Sequence, residues 1–118
     1  MFNFNITKKE NFILVDVSGR LMIQEDAQLL QNDVITNLSD SLNIVVISFK
    51  KLEYLNSTGL NVMITILTKT RNYGGDTIII DIPKSVNDLL LISKLNTVFN
   101  IKADLEEVNE TFNKVNKL

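Results

Sequence analysis

The run Ile44-Val45-Val46-Ile47 contains no polar side chain and is only as long as a strand, the pattern of a strand covered on both faces in a parallel sheet. Asp76 to Ile82, built around Ile78-Ile79-Ile80, reads the same way. Between them, Thr58 to Tyr73 places Leu60, Met63, Ile64 and Leu67 on one helical face and closes on Gly74-Gly75, where a left-handed cap costs little. Strand, helix, strand predicts a right-handed crossover, and with it an α/β fold.

The flanking segments extend that frame. Phe2, Phe4 and Ile6 alternate with Asn3, Asn5 and Thr7, the period of a strand with one wet face. After a polar turn, the β-branched run Phe12 to Val17 forms its hairpin partner, with Ser18-Gly19 expected to end it. Ala27, Leu30, Val34 and Leu38 predict an amphipathic helix from Gln24 to about Asn37 or Leu38. Pro83 suits the start of a helix with Val86, Leu89 and Leu90 on one face, and the apolar piece Val98 to Ile101 can pair as a short strand. Asp104 and Glu107 have the spacing of a capping box ahead of Leu105, Val108, Phe112 and Val115, so the chain closes in an amphipathic helix. The expected architecture is one α/β domain over residues 1–118, a mixed and mostly parallel β-sheet packed by about four helices. With 118 residues and 45% apolar content, such a chain can bury roughly two-thirds of its unfolded surface in one core.

The residues that are missing narrow the chemistry. The chain has no cysteine and no histidine. Disulfides, thiolate nucleophiles, His-ligated zinc and Ser-His-Asp catalysis are therefore excluded, and no metal or other cofactor is expected. Twelve basic and fourteen acidic residues give a net charge of −2 without a Lys/Arg stripe, which argues against nucleic acid as a partner. Met1 to Thr7 lacks the layout of a signal peptide and no apolar run reaches membrane-spanning length, so a cytoplasmic protein without membrane insertion is expected. Glu106, Glu107 and Glu110 lie off the apolar stripe of the last helix and read as a solvated face.

One segment stands out. The strand Ile44 to Ser48 leads through Phe49 to Leu55 into Asn56-Ser57-Thr58-Gly59-Leu60, which opens a helix directly. In the simplest reading these small polar residues cap the helix, worth about 1 kcal/mol, while Gly59 permits close packing. The same helix start, with free N–H groups and the positive end of the dipole, also tolerates a phosphate on a hydroxyl there. A hydrolase with Ser57 as nucleophile is the third reading. Its base would have to be Lys50 or Lys51, a poor choice because an exposed lysine is held in its ammonium form at neutral pH, and neither a Gly-x-Ser-x-Gly elbow nor a phosphate-binding Gly-x-x-x-x-Gly-Lys loop is present. The chain is read as a binding protein, not an enzyme.

Leu55-Asn56-Ser57-Thr58-Gly59-Leu60 resembles the Asp-Ser-Ser/Thr-Gly-Leu signature of the STAS family, the bacterial anti-sigma factor antagonists. Val17-x-Gly19-x-Leu21, Ala27-x-x-Leu30, Arg71-x-x-Gly74-Gly75, Pro83-x-x-Val86-x-x-Leu89-Leu90 and Leu95-x-x-Val98-Phe99-x-Ile101 continue the likeness over nearly the whole chain. The resemblance implies a partner switch in signal transduction and transcription regulation. In that scheme the unmodified domain binds an anti-sigma factor serine kinase, which phosphorylates the first hydroxyl after the acidic position, here Ser57, and a Ser/Thr phosphatase resets it. Thr58 is the alternative acceptor. The implied contact patch is Met22, Ile23, Asn56, Ser57, Thr58 and Gly59. Two departures stand out: Asn56 replaces the acidic residue, and Leu21-Met22 replaces the usual Leu-Asp pair, which removes a helix cap and leaves Met22 and Ile23 in a loop. Met22 and Ile23 serve either as core filler or as an apolar contact. A neutral Asn56 also fits a second scheme, an accessory STAS subunit docked without phosphorylation to an ABC-type transporter or a signalling complex.

Overall fold

Alternating or continuous apolar runs become strands wherever a neighbour completes their hydrogen bonding, and the computed structural model contains five. It describes the backbone of residues 1–116 and side chains through Phe112, so Val115 lies outside the described side chains. In chain order the elements are β1 (Asn3–Lys8), β2 (Ile13–Leu21), α1 (Gln24–Thr36), β3 (Ile44–Leu55), α2 (Ser57–Asn72), β4 (Asp76–Ile80), α3 (Lys84–Ser93), β5 (Asn100–Ile101) and α4 (Leu105–Asn116), with a 3-10 turn at Leu95–Thr97. The sheet order follows the chain, β1-β2-β3-β4-β5. β1 pairs antiparallel with β2 and every later pairing is parallel. This is the expected mixed, mostly parallel α/β domain, and the short Val98–Ile101 piece does pair, through Ile78↔Asn100 and Ile79↔Ile101.

Both faces of β3 are covered, as its unbroken apolar run requires. On one side Val15, Val17, Val45, Ile47, Phe49 and Ile79 pack against Ala27, Leu30 and Val34 of α1, Val62, Met63, Ile66 and Leu67 of α2, and Val86 of α3. On the other, Phe12, Val46, Ile78 and Ile80 meet Val108 of α4, and the Phe12 and Phe112 rings stack with centroids 5.7 Å apart. Asp104 and Glu107 cap α4 as their spacing suggests. The Asp104 carboxylate accepts from Glu107 N at 3.0 Å, while Glu107 reaches back one residue further, accepting from Ala103 N at 2.9 Å.

Three expectations need correction. Gly19 does not end β2. The strand runs on to Leu21, and Gly19, at φ +83°, sits beside a register irregularity between Gly19 and Arg20. Its missing side chain makes room for the N-terminal segment, because a Cβ there would lie 1.8 Å from the Met1 carbonyl oxygen. Phe49 to Leu55 is not a connection but the second half of β3, paired with β2 through Ser18↔Lys51, Gly19↔Leu52, Arg20↔Tyr54 and Leu21↔Leu55. The buried stripe of α2 is Gly59, Val62, Met63, Ile66, Leu67 and Thr70, with Leu60 and Ile64 only half-buried at its margin.

The end of α2 follows its sequence closely. Gly74, at φ +83°, donates to Arg71 O at 3.0 Å and Gly75 donates to Thr70 O at 2.8 Å, the paired bonds of a Schellman cap. Gly75 also lies against Asn43, whose carbonyl oxygen would sit 1.9 Å from an added Cβ. From the last turn Arg71 donates through Nε to Asp76 at 3.2 Å and through its terminal NH2 to Val98 O at 2.8 Å, tying α2, β4 and the approach to β5 together.

Candidate functional site

β2 and β3 lie side by side until Leu21 and Leu55, both fully buried, and then diverge. β2 continues into the two-residue loop Met22–Ile23 before α1, and β3 passes through Asn56 into α2. Two chain segments therefore leave the same edge of the core together. Asn56, in extended conformation, is the N-cap of α2, and its side-chain oxygen accepts from Gly59 N at 3.3 Å. Its amide nitrogen donates to Met22 O at 3.2 Å, and its backbone N–H donates to Leu21 O at 3.4 Å. Gly59 completes the junction by having no side chain. A Cβ there would stand 2.8 Å from Leu55 Cβ and 2.9 Å from the Leu21 carbonyl oxygen.

Ser57 occupies the first position of α2 and is exposed, Thr58 and Asn56 are half-buried, and Gly59 is buried. Thr58 thus leans toward the interior while the Ser57 hydroxyl faces solvent. Met22 is 37% and Ile23 60% exposed, so neither is core filler. Ile23 stands at the N-cap position of α1 without a side-chain cap bond. All six residues singled out from the sequence fall in two short adjoining segments. Asn56 joins the segments directly, and Gly59 packs against the residue preceding the loop.

Sequence reasoning missed Tyr54 and Arg20, which the Arg20↔Tyr54 pairing brings beside this site. Tyr54 is 44% exposed, and the Arg20 guanidinium lies 5.6 Å from its ring centroid, within cation–π range. Only the register of β2 on β3 reveals them, and the irregularities in that register hide it from a period-2 reading. Lys50 and Lys51, the candidate bases of a hydrolase, instead help line a groove of about 420 Å³ with Asp16, Ser18 and Ser48, and Ser57 is not part of that lining. Among the described residues no group of three or more His, Cys, Asp or Glu could hold a metal ion, and no helix is long and apolar enough to cross a membrane.

A five-stranded mixed sheet with four helices and a small-residue helix start beside an apolar loop defines the STAS-like class of α/β domains. The chain belongs to the STAS domain family, whose model matches residues 3–108. Solved structures share the fold at low identity. A Thermotoga maritima protein proposed to be an anti-sigma factor antagonist superposes with a TM-score of 0.80 at 19% identity, covering 92% of each chain. An anti-sigma factor antagonist from Mycobacterium paratuberculosis gives 0.79 at 18% identity over 94% of this chain and 93% of that one. The antagonist SpoIIAA in its unphosphorylated form gives 0.79 at 13% identity, covering 94% and 97%; the phosphorylated form, from Bacillus, gives 0.71 at 12%, covering 92% and 99%. No curated protein matches the chain significantly by sequence.

Proposed function

We propose that this chain is an anti-sigma factor antagonist that works by partner switching: it docks to a kinase-type anti-sigma factor through the Met22–Ile23 loop and the start of α2, and phosphorylation of Ser57 ends the association. One observation carries the reading, the exposed Ser57 hydroxyl at the first position of α2, flanked by the exposed apolar side chains of Met22 and Ile23. A phosphoryl group there adds about −1.5 to −2 charge and a tetrahedral bulk to the docking face without entering the core. A Ser/Thr phosphatase would restore the docking form. The phosphorylated form of the fold neighbour SpoIIAA supports a domain of this kind carrying the modification. The protein itself performs no chemistry in this scheme and acts in the cytoplasm of a bacterium. Incubation with the cognate kinase and ATP, followed by mass-spectrometric mapping, tests it: phosphate on Ser57 is expected. Phosphate on Thr58 would reassign the acceptor, and an unmodified chain would remove the switch while leaving docking intact.

The neutral Asn56 favours one alternative, a STAS accessory subunit that stays docked to an ABC-type transporter or a signalling complex without phosphorylation. Co-purification with a membrane ATPase, together with an unmodified Ser57, would select it.

A further inference from the structure

Three consecutive carbonyls leave the end of β2, and each needs a donor. Leu21 O accepts the Asn56 backbone N–H, Met22 O accepts the Asn56 side-chain amide, and Ile23 O accepts Ala27 N at 3.0 Å as the first bond of α1. The outer two are held by backbone that the fold fixes in any case. The middle one depends on a single side chain. The orientation of that side chain is set chemically, because Gly59 N can only donate and Met22 O can only accept, so oxygen must face the first and nitrogen the second. We propose that Asn56 is the positioning residue of the docking surface, its amide latching the Met22–Ile23 loop to the start of α2 so that two exposed apolar side chains are presented in one fixed arrangement beside Ser57.

The loop has little else to order it. Ile23 is mostly exposed and Met22 about one-third exposed, and Ile23 lacks a side-chain cap. Removing the donor leaves Met22 O to water and frees the turn, while the helix cap, which uses the other end of the same amide, need not be touched. A neutral carboxamide, which supplies both an acceptor and a donor, serves both ends at neutral pH. An ionised aspartate at 56 keeps the acceptor for Gly59 N and suits the helix dipole, but it has no donor and turns a carboxylate oxygen toward the Met22 carbonyl. When protonated, the same aspartate regains an O–H that can donate.

The latch rests on the docking reading only for its purpose, so its test uses the free protein. Backbone ¹⁵N relaxation is measured for wild type, Asn56→Asp and Asn56→Ala. In the wild type the Met22 and Ile23 amides are expected near the rigid value of about 0.85 in order parameter, falling below about 0.6 in Asn56→Asp at pH 7. The thermal midpoint of Asn56→Asp should stay at or above that of the wild type, whereas Asn56→Ala loses both loop order and part of its midpoint. In Asn56→Asp, order should return as the pH drops below about 4, where the carboxyl protonates, while the wild type shows no such gain. A cap without a latch would move stability and leave loop order flat across pH. Unchanged loop order in Asn56→Asp at pH 7, or the absence of recovery in acid while the wild type stays folded, overturns the assignment, whatever becomes of Ser57 phosphorylation.

Discussion

Replacing Gly59 by alanine adds one methyl group at the point where β2, β3 and α2 converge. That methyl would meet Leu55 Cβ at 2.8 Å, the Leu21 carbonyl oxygen at 2.9 Å and Leu21 Cγ at 3.2 Å. Leu21 and Leu55 are fully buried and paired in the sheet, and one of the clashing atoms is backbone, so the helix start must move away rather than a side chain swing aside. Overpacking of this kind costs about 1–3 kcal/mol, against which alanine recovers at most about 1 kcal/mol of helix propensity. With that recovery in full, a net loss of up to about 2 kcal/mol remains. With an unfolding entropy of about 2.1 cal/mol/K per residue over 118 residues, the midpoint should fall by up to about 8 °C, read by circular dichroism on heating. Gly74→Ala is the control: its nearest neighbour is Asn43 Nδ2 at 4.0 Å, so any loss there comes from φ +83° alone, about 1–2 kcal/mol, and amide shifts around Leu21 and Met22 should not change. Gly59→Ala should shift those amides strongly. A Gly59→Ala protein melting at or above the wild-type temperature, with Leu21 and Met22 unshifted, would refute the close-packing argument.

Ser57→Asp should leave the midpoint unchanged or raise it slightly, since an exposed negative charge in the first turn is worth about 0.3–1 kcal/mol, while pull-down of the proposed anti-sigma factor partner should fail. Thr70 Oγ1 donates to Leu67 O at 2.9 Å, so at the buried Thr70–Thr77 contact of 2.9 Å the proton belongs to Thr77. Thr70→Val therefore strands a buried donor, about 1–3 kcal/mol by denaturant titration, and Thr77→Val, which strands none, should cost less. Arg71→Lys cannot hold both Asp76 and Val98 O; because the ion pair is exposed, stability should change by less than about 1 kcal/mol, yet hydrogen exchange at Asn100 and Ile101 should quicken as the approach to β5 loosens.

The sheet centre was legible because β3 and β4 are covered on both sides and show it as unbroken apolar runs, and α4 because its stripe and cap agree. The far half of β3 was not. Phe49, Leu52 and Leu55 are its buried residues, spaced by three, because the register on β2 slips between Asp16 and Ser18 and again between Gly19 and Arg20. Each slip breaks the alternation by which a strand is recognised, and Lys50, Lys51 and Glu53 on the exposed positions complete the disguise. Gly19 misled for the same reason: a glycine that bends a strand carries the same letter as one that ends it. In α2, Leu60 and Ile64 are as apolar as Val62 and Ile66, so periodicity alone could not select the buried stripe. The small-residue segment from Asn56 to Gly59 was legible by type and position, but the bond from Asn56 to Met22 spans 34 residues, and no local pattern encodes it.

These misread stretches matter because they build the site. A β3 that stopped at Ser48 would leave α2 starting well short of the β2–α1 loop; the extra residues carry the chain on to Leu55 alongside Leu21. The irregular register sets which residues arrive opposite each other there, and Gly59 lets α2 begin in contact with them. Ser57 consequently lies two residues beyond a fully buried leucine and two before a buried glycine, yet is itself exposed. A charge added at this position meets solvent and the positive end of a helix on its own chain, at a cost near zero or below it. On a partner that buries Met22 and Ile23 the same charge meets a desolvated apolar contact, where an unpaired ion costs several kcal/mol. Under the proposed function, that difference between the free and docked states, not any change in the fold, would convert one hydroxyl into a switch.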